Sequence, residues 1–79
     1  MIPASSQYLA VVTTYGDTET KAELLAAYTS SGYTLAQNYQ MDKTINGYIF
    51  RKDVMVFKKS DATDPTVEKI AELVKGLGL

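Results

Sequence analysis

Nine carboxylates, eight cationic side chains and no histidine or cysteine make up the charged chemistry of this 79-residue chain. Glycosidase-type acid catalysis would need two carboxyl groups about 5 to 9.5 Å apart, and a metal cage would need several converging oxygens. The acids are dispersed singly, as helix caps, ion-pair partners and solvated faces usually are. Without cysteine there is no disulfide, thiolate metal site or cysteine nucleophile. Without histidine no side chain has an ordinary pKa near neutrality, so neither a Ser-His-Asp triad nor a histidine-ligated zinc can be assembled. A non-enzymatic protein with no cofactor and no metal is expected.

The cations are less evenly spread. Lys43, Arg51, Lys52, Lys58 and Lys59 concentrate in one segment, whereas the residues that open both helical stretches are acidic. If oligomerisation brought copies of Arg51 and Lys59 together, they would suit a small anionic ligand such as a nucleotide. The plainer role for such lysines is to guard a strand edge against aggregation. A formal net charge of −1 makes neither nucleic acid nor an anionic membrane an expected partner. Gly47-Tyr48-Ile49-Phe50 has the glycine-aromatic spacing with which the RNA recognition motif stacks bases. Here, however, Ile49 replaces a small residue, Arg51 stands where an aliphatic is expected, and no fourth strand follows. Gly76-Leu77-Gly78 lies at a helix end, whereas a phosphate loop needs its glycines before a helix start.

Elements that must position these groups follow from periodicity. Tyr8 to Thr14 is rich in β-branched and aromatic residues and predicts a strand. Asp17 can cap a following helix whose apolar side is Leu24, Leu25 and Tyr28 with Ala22, and Gly32 ends it. From Tyr33 the period becomes two, and Asn46-Gly47 supplies the two positive-φ positions of a type I′ hairpin turn. Tyr48 to Lys59 is the partner strand, with a bulge expected near Lys52 if the Arg51-Lys52-Asp53 interruption breaks the ladder. Asp64-Pro65 predicts a helix start, with Val67, Ile70, Ala71, Val74 and Leu77 as its apolar side. The order strand, helix, strand, strand, helix predicts an α+β fold: an incomplete ferredoxin-like sandwich, sheet order 1-3-2, antiparallel or mixed, with two helices on one face.

A two-residue loop pairs Ile45 with Tyr48, and from that pair the whole register follows. Asp42 falls opposite Arg51, an opposite-charge pair contributing about 0.2 to 1 kcal/mol. Tyr33, Leu35, Tyr39, Met41, Ile45, Tyr48, Phe50, Val54 and Val56 then share the face expected to form the core. Ala36, Asn38 and Gln40 share the other face with Ile49, Met55 and Phe57. Left open to water, that face is an apolar patch with a polar rim, the usual mark of an interaction site. A bulge that swaps faces, or terminal segments folded over the patch, would make it internal instead.

The chain resembles small uncharacterised bacterial and phage domain families built as a strand, a helix, a glycine-aromatic step and a long hairpin ending in aromatic-basic residues. The matching residues are Tyr8 with Val11-Val12, Leu24-Leu25, Gly32-Tyr33-Thr34-Leu35 and Val56-Phe57-Lys58-Lys59. Those families more often carry tryptophan at the place of Tyr33, and the second helix is an addition. The resemblance implies the fold and transfers no functional residue.

A chain of 79 residues with 46% hydrophobic and 22% charged residues predicts one folded domain. It buries only roughly 60 to 65% of its unfolded surface, so a partner would add useful burial. Met1 to Gln7 has no basic residue and no apolar stretch, so no leader peptide is read there, and a cytoplasmic location is the default expectation. The leading expectation is a self-associating interaction module, a homodimer or higher homo-oligomer, working through its open sheet face or first-strand edge. The alternative is an oligomeric binder of a small anionic ligand, suited to a phage or mobile-element accessory protein.

Overall fold

The computed structural model describes residues 7–77. The polar lead from Met1 to Ser6 and the helix stop at Gly78 lie outside the described residues. Asn46 and Gly47 take φ of 51° and 82°, both in the left-handed region, and so form the type I′ turn. The turn joins β2 (Tyr33–Ile45) to β3 (Tyr48–Lys59) with Ile45 opposite Tyr48 and Asp42 opposite Arg51. Before them come β1 (Tyr8–Thr14) and α1 (Thr18–Ser30), and after them α2 (Val67–Lys75). The fold is α+β, with a three-stranded sheet in the order β1-β3-β2 and both outer strands antiparallel to β3.

The ladder stays in phase through Lys52, which pairs with Met41, and on to Val56 opposite Gln37. The register shift lies instead between Leu35 and Gln37, so the bulge falls on Ala36 in β2 and not near Lys52. It moves Tyr33 and Leu35 to the opposite face from Tyr39 and Met41, although all four have odd numbers. Two apolar sets from one strand can thereby serve two different helices.

Residue pairing shows which face each helix takes. Tyr28 of α1 packs on Phe57, and Lys21 of α1 reaches Asp53, so α1 covers the odd-numbered side of β3. Tyr8 and Lys58 are cross-strand partners on the other side. The Tyr8 hydroxyl donates to Thr63 O at 2.9 Å and Lys58 Nζ donates to Ala62 O at 3.0 Å, which leads the chain into α2 over that second face. The helices therefore flank opposite faces, and the expected sandwich with both on one face does not form. Val54, Met55, Val56 and Phe57 are each 0% exposed because β3 is covered from both sides. Burying each such side chain contributes about 1.5 to 3 kcal/mol.

Local signals close the elements. Asp17 accepts from Thr20 N–H at 3.2 Å as the cap of α1. At the far end Gly32, with φ 90°, carries the chain into β2. The cap of α2 is Thr66, which accepts from Lys69 N–H at 3.1 Å, while Asp64 is drawn away into an ion pair with Lys58 at 3.3 Å. Its inward stripe is Ile70, Leu73, Val74 and Leu77; Ala71 is exposed and Val67 is 80% exposed, contrary to the expected apolar side.

Candidate interaction surface

The face expected to be open is closed by α1. Met55 and Phe57 are fully buried under it, and neither can meet a partner unless the helix leaves. Asn38 accepts from Lys21 Nζ at 2.7 Å and donates to Val54 O at 2.9 Å, and Gln40 Nε2 donates to Asp53 Oδ1 at 2.9 Å. Ala36 is half-buried at the bulge. Asn38, Gln40 and Ile49 are exposed, and Ile49, at 70%, stands apart from the rest near the hairpin turn.

Lys21, Asn38, Gln40 and Asp53 therefore form a polar cluster that ties α1 to the sheet, with Asp53 buried and Asn38 and Gln40 exposed. The Asp53 carboxylate, with a side chain only 7% exposed, faces Lys21 Nζ at 3.7 Å as well as the Gln40 amide. Its acceptor capacity serves packing. Thr13, the cross-strand partner of Asp53, has the only buried side-chain oxygen without a hydrogen bond among the described residues. A shallow cleft of about 400 Å³ opens between β1 and the start of α1, but its one carboxylate, Asp17, is engaged as the helix cap. Among the described residues no group of histidine, cysteine, aspartate or glutamate has the arrangement of a metal site.

The two cations considered for an anion do not converge within one chain. Arg51 and Lys59 lie roughly 27 Å apart along β3, at about 3.4 Å per residue. Arg51 donates to Asp42 Oδ1 at 3.1 Å and lies over the Tyr15 ring at 5.4 Å. The hydrogen bond and attraction of Asp42 raise its pKa further, so the guanidinium stays charged.

β1 ends at Thr14, opposite Lys52, and the hairpin continues beyond it as a two-stranded arm projecting roughly 17 Å. Tyr48 is 71%, Ile49 70%, Phe50 46% and Ile45 44% exposed on this arm. Tyr48, Phe50 and Ile45 were expected in the core. They escape it because the hairpin outruns β1.

The outer edge of β1 is the second surface. Tyr15 N–H donates to Arg51 O at 3.2 Å and Lys59 N–H to Gln7 O at 2.8 Å, so odd-numbered residues along β1 bond to β3. Tyr8, Ala10, Val12 and Thr14 consequently turn their backbone groups outward. The Thr14 carbonyl is taken by Asp17 N–H at 3.1 Å; among the described residues no strand pairs with the others. β1 reads Tyr-Leu-Ala-Val-Val-Thr-Thr, with no charge, no proline and no bulge. β2, the other edge, carries Asp42, Lys43 and the bulge at Ala36. The element order makes β1 an edge, whereas the cover of Phe57 by α1 does not follow from it. The uninterrupted run Val54-Met55-Val56-Phe57, typical of a strand buried on both faces, was the available signal.

No family model, curated protein or solved structure matches the chain. No described helix is long and apolar enough to cross a membrane.

Proposed function

We propose that this chain is a small non-enzymatic interaction module that self-associates through the outer edge of β1. One observation carries this reading: among the described residues no strand pairs with the outer edge of β1, which has none of the charge, proline or bulge devices that keep edges apart. The open sheet face is dropped from the proposal because α1 occupies it. The anion-binding alternative ranks second, since within one chain Arg51 and Lys59 are far apart and Arg51 pairs with Asp42, so it would need several copies of the chain to bring these cations together. Strand addition suits a domain this small, because it supplies backbone hydrogen bonds and apolar contact together. Light scattering at micromolar concentration tests the proposal, with an oligomer expected. A strict monomer with a native circular dichroism spectrum would sink it.

A further inference from the structure

We infer that the occupant of the β1 edge is a second copy of β1, paired antiparallel about a two-fold axis through Ala10. This rests on the self-association reading and adds the register. The outward backbone groups that no described strand takes up belong to Tyr8, Ala10 and Val12, and Ala10 is their midpoint. With Ala10 on the axis, Tyr8 of each protomer meets Val12 of its partner, and about six backbone hydrogen bonds form across the junction. A register centred on Val11 would lose the two bonds that call on the Thr14 carbonyl, which already accepts from Asp17 N–H, and so gains none over the Ala10 register.

Side chains favour the same register. Tyr8 against Val12 is an aromatic to β-branched pair on the face of α2, and Leu9 against Val11 is an aliphatic pair on the face of α1. Ala10 meets its own copy at the axis, where a small side chain avoids a clash. Centring on Val11 would set Tyr8 and Leu9 against threonines. No charged residue lies on β1, so a two-fold axis brings no like charges together. The dimer is closed: both β1 edges are consumed, and a six-stranded sheet results with β2 at each end.

The chain has no cysteine, so single cysteines report the register cleanly. In a hydrogen-bonded pair the two Ala10 Cα atoms would lie about 5.5 Å apart, within the range that a disulfide bridges. Two Val11 residues would be diagonal neighbours about 7 to 8 Å apart, too far for one. Under mild oxidation Ala10→Cys is expected to run at twice the chain's mass, while Val11→Cys and Val12→Cys stay at the single mass. Preferential cross-linking of Val11→Cys or Val12→Cys would overturn the Ala10 register and leave self-association through β1 standing. An oligomer of the unaltered chain in which none of the three cross-links would overturn the Ala10 register, and its persistence in Ala10→Pro would overturn self-association through β1 as well. A monomeric unaltered chain would also overturn both, leaving the edge to an extended segment of another protein. Ala10→Pro removes an outward N–H that no described strand uses, and should give a monomer with an unchanged circular dichroism spectrum.

Discussion

The Tyr28 ring lies on the Phe57 ring, with centroids 4.9 Å apart and planes tilted by 35°. Tyr28 also meets Tyr33 edge-on at 6.1 Å, so one side chain of α1 ties together β2 and β3. This small aromatic cluster turns the odd-numbered side of β3 from a surface into a core. Phe57→Ala should therefore cost about 3 to 5 kcal/mol, most of the stability of a domain this size. Urea denaturation followed by circular dichroism would show it. A Phe57→Asp chain that stayed folded as a monomer would mean that α1 does not cover this face.

The polar cluster that ties α1 to the sheet predicts a smaller effect. Asp53→Ala leaves the Gln40 amide and the Lys21 ammonium without their shared carboxylate, at a cost of about 1 to 3 kcal/mol. Lys21→Met keeps most of the side-chain volume and still leaves Asp53 its bond from Gln40, so it should cost less. An equal or larger loss for Lys21→Met, read from urea midpoints, would contradict this ranking.

The turn can be tested on conformation alone. A Cβ on Gly47 would meet nothing within 4 Å, yet the residue sits at φ +82°. Gly47→Ala should cost about 1 to 2 kcal/mol from backbone strain, with no clash. A shift in thermal midpoint with an unchanged unfolding slope would fit. No shift would mean that the turn relaxes.

Tyr39 gives a pH dependence. Burial raises its phenol above the ordinary value of 10.0, because the neutral form is favoured in the folded chain. Its contribution is fully present below pH 10.0 and is lost as pH rises through the raised folded value. Tyr39→Phe should flatten the fall in stability above that pH relative to the unaltered chain. Identical alkaline slopes in the two chains would count against a partly buried phenol.

The arm serves as a control surface. Ile49 is 70% exposed on a stretch that β1 does not reach, so Ile49→Lys should change stability by no more than about 0.5 kcal/mol. It should also leave the oligomeric mass unchanged. A loss of assembly in this variant, measured by light scattering, would move the working surface from the β1 edge to the arm.

Asn46-Gly47 determined the turn type and the ladder from Ile45–Tyr48 to Gln37–Val56 by itself, because φ preference acts within two residues and hairpin pairing propagates from it. The order and boundaries of the strands and of α1 were legible for the same local reasons, as were the Asp17 cap and the Asp42–Arg51 pair. The Thr66 cap was not, because Asp64-Pro65 offers an equally good local start signal two residues earlier. Only the tertiary structure decided which face became core. Tyr33 and Tyr39 share a parity along the chain and end on opposite faces, because the bulge at Ala36 lets β2 answer α1 at one end and face the α2 side beyond. Alternation in a sequence gives two sides of a strand. Long-range docking of a helix, whose free energy comes from contacts such as Tyr28 on Phe57, decides which side is dry.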